Sequence, residues 1–306
     1  MLSGAIAALA VVSGLSMSPP VTAVRRAGFP GRNGMIAFAH DEGGGPVVDV
    51  VKGDGSLPKK LVRSGADAPA PSWSPDGSKI AYVRATGGSG EIYTADARGK
   101  HEMRLTNNHV SDSAPAWSPD RSKIAFVRHG GGSSEIYVMD ANGKNQVDIT
   151  NTADADEDDP AWSPDGSQIA FSSQSHGEGV MPIEIFLMST DGSNRHAVTG
   201  GGADSKPDWS PDSTKIAYQG TVGDQPPAIY VMNADGLNQL ALTSMHVDFA
   251  PAWSPDGSKI AFSTNRHDNA FDCQIYVMNA DGSNQQPLTD EVGVIDRHPC
   301  WQPITR

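Results

Sequence analysis

The sequence predicts an all-β fold: a six-bladed β-propeller of four-stranded antiparallel blades, closed by its C-terminal strand. Three observations carry this. The six tryptophans, Trp73, Trp117, Trp162, Trp209, Trp253 and Trp301, lie 44 to 48 residues apart, the period of a blade and not of a separate domain. Every repeat holds four short runs of strand formers divided by tight turns. The first repeat lacks a tryptophan-bearing run, and one such run is left over at the C-terminus.

The copy beginning at Pro251 shows the repeat most clearly. Pro251 to Trp253 is the first run, and Ser254-Pro255-Asp256-Gly257 is a turn. Proline presets one turn dihedral and Asp-Gly accepts a positive φ, so the chain reverses tightly and neighbouring runs pair antiparallel. The second run is Lys259 to Phe262, the third Ile275 to Met278, and the fourth ends at Leu288-Thr289 after the turn Asn279 to Gly282. Runs such as Ile-Ala-Phe and Ile-Tyr-Val-Met do not alternate apolar with polar, so both faces of each sheet must be covered. Blades sandwiched between blades achieve that without helices. The 33 glycines and 22 prolines fall mostly between the runs, which also argues against helix.

Second runs begin at Ile36, Ile80, Ile124, Ile169, Ile216 and Ile260, and fourth runs end at Val62, Thr106, Thr150, Thr199, Thr243 and Thr289. No tryptophan run precedes Ile36, and no second run follows Pro299-Cys300-Trp301. Pairing the two ends completes the sixth sheet and removes the open edge that an unclosed stack would expose.

One repeated unit accounts for most of the 306 residues, giving a single propeller domain over 33–306 preceded by a short segment, 24–32. Residues 1–23 read as a signal peptide, with an uncharged apolar stretch, Met1 to Leu15, and the small residues Val21-Thr22-Ala23 at a cleavage site. Export to the periplasm or medium is therefore expected, with no membrane span once the signal is removed. The net charge of −13 disfavours nucleic acid as a partner. A monomer is expected.

The only cysteines, Cys273 and Cys300, would meet an oxidising compartment, and a disulfide between them would staple the seam of the ring; two buried free thiols are the alternative. Asp76, Asp120, Asp165, Asp212 and Asp256 in the Ser-Pro-Asp turns read as turn formers. The tryptophans read as core between blades.

Candidate functional residues come from the variable lead-in segments on the face opposite the repeated turns, since recognition gathers on variable loops of a rigid scaffold. Three residues before the proline of each tryptophan run stands an acid, Asp112, Glu157, Asp204, Asp248 and Asp296, with Asp67 displaced by one. If the tryptophan strands are innermost, these acids ring the channel mouth and would attract a basic ligand or a cation such as calcium; alternatively each bonds its local backbone. His109, His246 and His298 share those segments and could hold a metal, though their offsets from the following proline differ. No dedicated cofactor is indicated. The sequence has no Gly-x-Ser-x-Gly elbow, His-Glu-x-x-His motif or phosphate loop.

The units Pro251 to Phe262 and Ile275 to Asn284, with the Leu-Thr ending, resemble the β-propeller repeats of the TolB family, a repeat type shared with some oligopeptidases and an oligogalacturonate lyase. The resemblance covers about nine tenths of the chain. It implies a periplasmic propeller that binds protein partners, here without the N-terminal α/β domain of TolB. Two readings follow. The first is an exported, non-catalytic propeller that takes a protein or peptide of the cell envelope at its variable face and channel mouth. The second is a secreted polysaccharide lyase or hydrolase using carboxylates or histidines in the channel.

Overall fold

A computed structural model of the chain describes residues 31–66, 70–177, 179, 181–223, 225–266, 272–291 and 293–304. The expected signal peptide at 1–23, most of the segment 24–32, and Asp67 lie outside the described residues. Within them the secondary structure is six four-stranded antiparallel sheets, with no α-helix. In five sheets the strands follow chain order from the tryptophan strand outward. Blade 6 is typical: Asp248–Trp253, Lys259–Thr264, Gln274–Asn279 and Gln286–Pro287.

The exception is blade 1, where Ile295–Ile304 pairs with Arg32–Asp41, followed by Val47–Lys52 and Lys59–Arg63. Trp301 lies opposite Ile36. The closing strand thus supplies the missing first run, and the ring is sealed by strands from the two ends of the sequence.

Each tryptophan packs against the preceding blade. Trp162 joins Ile169 and Phe171 of its own blade to Ala125, Ile136 and Val138 of the one before, and Trp73 joins Val48 and Val50 of blade 1. All six are buried. Burying an indole of 150 to 250 Å² at ~25 cal/mol per Å² contributes about 4–6 kcal/mol at each junction.

The repeated turns hold themselves together. Ser74 Oγ donates to Asp76 Oδ1 at 2.7 Å, which also accepts the Ser78 amide at 3.1 Å, while Ser74 Oγ accepts the Lys79 amide at 2.9 Å. Blades 3 to 6 repeat this set around Asp120, Asp165, Asp212 and Asp256. These bonds outweigh partial burial and hold the five carboxyls below the usual range. Where glycine is replaced, Arg121 and Ser213 still adopt φ of 66° and 61°. Their side chains bond the neighbouring turns, Arg121 to Asp76 at 2.6 Å and Ser213 Oγ to the Asp165 amide at 3.1 Å. The fourth runs end in a similar device: Thr106, Thr150, Thr199, Thr243 and Thr289 each accept a third-strand amide at 2.9–3.0 Å.

Cys273 and Cys300 are both free thiols. Cys273 bridges to Ile295 and Cys300 pairs with Ala37, five residues further along the closing strand. That separation is about 16 Å at strand rise, beyond the reach of a disulfide. Cys300 serves the seam differently, its sulfur accepting the Trp73 amide at 3.5 Å.

Candidate functional site

The channel is built from a strained dipeptide repeated six times. Each tryptophan strand carries a proline, or in blade 2 follows one directly, and such a proline has no N–H to give, which suits an edge strand facing a channel. The residue before it, at Ala70, Ala114, Asp159, Lys206, Ala250 and His298, takes φ between 33° and 55°. In blades 3 to 6 the pairing register slips at this point. The bulge turns these six side chains toward the axis, where they line the cavity together with the prolines and tryptophans.

Three of the six are alanine and three are long and polar, so the polar ones fill the room the alanines leave. Lys206 Nζ donates to Asp159 Oδ1 at 3.0 Å. Burial alone would depress Lys206, but Asp159 and Asp158 outweigh it and keep its pKa above the ordinary value. Burial, helped by the nearby Lys206 charge, lowers His298 to about 3, so its imidazole is neutral, and its Nδ1 has no hydrogen-bond partner among the described residues. Burial raises Asp158 to about 7, with repulsion from Asp159 adding to it. Burial likewise raises Asp208 to about 7, even though Asp208 Oδ2 accepts the Trp253 amide at 2.6 Å.

A cavity of about 200 Å³ extends from this polar floor toward the repeated turns, reaching Pro211, Ser254 and Pro255. Its walls are proline and indole. The recess therefore opens on the face of the repeated turns, and none of the described lead-in acids lines it.

Five of the acids expected to ring the mouth are on the inner strands, or in the case of Asp204 just ahead of one, but turned into their own blades. Asp112, Glu157, Asp204, Asp248 and Asp296 are all buried. Asp112 takes Arg128 in two bonds of 2.8 and 3.0 Å, Glu157 takes Arg195, and Asp248 takes Arg266 at 2.9 Å. Asp204 is hydrogen-bonded by the Thr199 side chain and the Thr221 backbone. Asp296 meets His40 Nδ1 at 2.7 Å. Among the described residues these five acids do not form a free negative ring at the axis, because a carboxylate withdrawn from water must be matched locally.

The three arginines occupy one seat reached from three places in the chain. Arg128 lies on a second strand, Arg266 just beyond one, and Arg195 just ahead of a fourth strand. Each guanidinium lies 4.6–5.3 Å from the ring centres of an aromatic pair: Phe126 and Tyr137, Phe171 and Phe186, or Phe262 and Tyr276. Sequence reasoning missed this arrangement because the arginines share no repeat position, although the aromatic pair does.

His109, His246 and His298 do not converge: His109 and His246 are exposed on lead-in segments of blades 3 and 6, while His298 is in the channel. One group of possible metal ligands is present among the described residues, His40, Glu42 and Glu291, which no spacing in the sequence connects. No described helix is long and apolar enough to cross a membrane.

TolB from Acinetobacter baumannii superposes with a TM-score of 0.77 at 25% identity, covering 88% of this chain and 67% of that one. A putative TolB from Agrobacterium tumefaciens gives 0.68 at 22% identity, covering 84% and 90%. An oligogalacturonate lyase from Vibrio parahaemolyticus gives 0.58 at 17% identity, covering 87% and 78%, a likeness of fold. No curated protein sequence matches the chain. The family described as TolB beta propeller domain matches residues 29–206 and 181–306. With that match spanning nearly the whole propeller, and with six closed blades on the page, the chain belongs to the TolB β-propeller family.

Proposed function

We propose that the chain is an exported, non-catalytic binding propeller that takes a protein or peptide partner of the cell envelope. The observation that carries this reading is the channel recess, with six apolar Pro-x-Trp walls and the Asp159–Lys206–His298 floor. A recess of about 200 Å³ holds one large side chain or a chain end, and the floor offers its polar tip an ion pair and the His298 Nδ1, which has no hydrogen-bond partner among the described residues. Apolar walls with a few convergent polar groups are the usual composition of a recognition pocket. The lead-in loops on the opposite face, three of them standing on acid–arginine pairs in blades 3, 4 and 6, supply a second, more variable surface. The membership in the TolB family supports both the partner class and a periplasmic location.

The assay is capture from an envelope extract by the immobilised protein, compared with the Lys206→Ala and His298→Ala variants. A partner retained by the parent and by His109→Ala, and lost by the two channel variants, is the expected result. Equal capture by all four would remove the channel from the reading.

One observation favours a second reading. Asp208 and His298 line the cavity with displaced pKa values, and Asp158, raised beside the floor residues Asp159 and Lys206, adds a third such group, as catalytic sites often have. Turnover of a polysaccharide that disappears in Asp158→Asn would establish a lyase or hydrolase instead.

A further inference from the structure

The six blades are copies of one plan, and blade 1 departs from it at the cation. In blades 3, 4 and 6 a guanidinium rests on the aromatic pair and neutralises the inner-strand acid. In blade 1 the residue opposite Phe38 on the third strand is Asp49 in place of an aromatic ring. No arginine contacts Asp296 among the described residues; the imidazole of His40 takes that place. Carboxylates have gathered where the strong cation is missing. Asp296 and Glu42 bond the two ring nitrogens of His40 at 2.7 and 3.0 Å, and Glu291 approaches the same group. Asp49 Oδ1 is buried without a hydrogen-bond partner among the described residues, and burial raises that carboxyl above its ordinary range. Four acids thus face one imidazole and, at longer range, Lys60. Blade 5 also lacks an arginine, but there Asp204 is held by the Thr199 side chain and the Thr221 backbone, and no such surplus builds up.

The geometry is that of a ligand set with its support in place. The ligating atoms of His40, Glu42 and Glu291 lie within 4.8 Å of one another. Asp296 is buried and grips His40 Nδ1, the outer-sphere contact that orients a metal-bound imidazole and raises its basicity. The loop bearing Glu291 is held by Gln274 Nε2, which donates to the Glu291 carbonyl at 2.6 Å. Glu42 and Glu291 are exposed, so small rotamer changes bring them to ligand distances of roughly 2.0–2.2 Å.

We propose that His40 Nε2, Glu42 and Glu291 bind one divalent ion of the zinc or manganese class, which supplies in blade 1 the positive charge that arginine supplies in three sister blades. The nitrogen ligand selects against calcium and magnesium, which favour all-oxygen sites. His40 is on the first strand of the chain, Glu42 lies just beyond its end, and Glu291 leads into the last strand. The ion therefore ties the two ends together across the seam, the role the sequence suggested for a disulfide.

The test uses the full chain stripped with EDTA and dialysed, titrated calorimetrically with ZnCl2 and with MnCl2, with melting temperature read in parallel. One equivalent of zinc or manganese should bind and raise the melting temperature, while calcium at the same concentration should do neither. The double variant Glu42→Gln/Glu291→Gln removes only exposed side chains and is expected to fold. It should bind at least about tenfold more weakly, a loss of about 1.4 kcal/mol. The double variant His109→Ala/His246→Ala, which changes only exposed histidines, should bind as the parent does. No binding at millimolar metal, or binding that is unchanged in the glutamine double variant, would overturn the proposal.

Discussion

Replacing Arg128 by methionine isolates what the buried acids do. Asp112 is fully buried, and the Arg128 side chain is only 19% exposed. The guanidinium makes two bonds to the carboxylate, a third to Gln146 at 2.8 Å, and lies 4.6 Å from the Tyr137 ring centre. Once it is gone, Asp112 keeps one visible side-chain donor, Asn108 at 2.8 Å. Methionine preserves most of the apolar stem, so the cost is chiefly that of a buried charge left unmatched, about 3–5 kcal/mol. Restoring neutrality with Asp112→Asn in the same chain should recover about 2 kcal/mol of it, because the double variant carries no buried ion. Urea unfolding at pH 7, followed by far-UV circular dichroism and by tryptophan fluorescence, gives the three differences, and coincident curves from the two probes license the comparison. A single-variant cost below about 1 kcal/mol, or a double variant no more stable than Arg128→Met, would show that the pair is not the structural unit described here.

Three further outcomes are expected. Asp208→Asn should become progressively more stable than the parent as pH rises from 4 to 8. The folded-state pKa of Asp208 is raised to about 7, so its favourable contribution is complete below the unfolded value near 3.9 and is lost as pH climbs through 7. The gap should be at most about 4 kcal/mol, and parallel melting temperatures across that range would contradict it. Gly77→Ala should cost more than Gly257→Ala, although both residues sit at φ near 70° in the same turn. A Cβ at 77 would meet the Pro303 carbonyl oxygen at 2.1 Å, and at 257 only the Pro211 ring at 3.2 Å. The excess should be about 1–3 kcal/mol, and equal denaturation midpoints would refute the close approach of turn and closing strand. Trp162→Ala should lose about 3–5 kcal/mol by emptying the junction between blades 3 and 4, whereas an unchanged unfolding midpoint would count against the interblade core.

The sequence by itself determined the blade count, the strand order and the closure at Trp301 and Ile36. These depend on local signals that recur in every copy: strand formers without alternation, Pro-Asp-Gly turns, and a tryptophan at a fixed offset. It also marked the turn aspartates as structural, since their partners lie within two residues along the chain. What only the tertiary structure decided is where charge ends up. Whether an acid faces the axis or its own blade depends on partners that share no repeat position: Arg128, Arg195 and Arg266 arrive from three unrelated places, His40 meets Asp296, and Thr199 and Thr221 hold Asp204. The channel floor depends on which three of six equivalent pre-proline residues are not alanine, a comparison with meaning only once the bulges have turned all six inward. The cluster of His40, Glu42 and Glu291 joins the two ends of the chain, and no spacing rule connects residues that meet only because the ring closes.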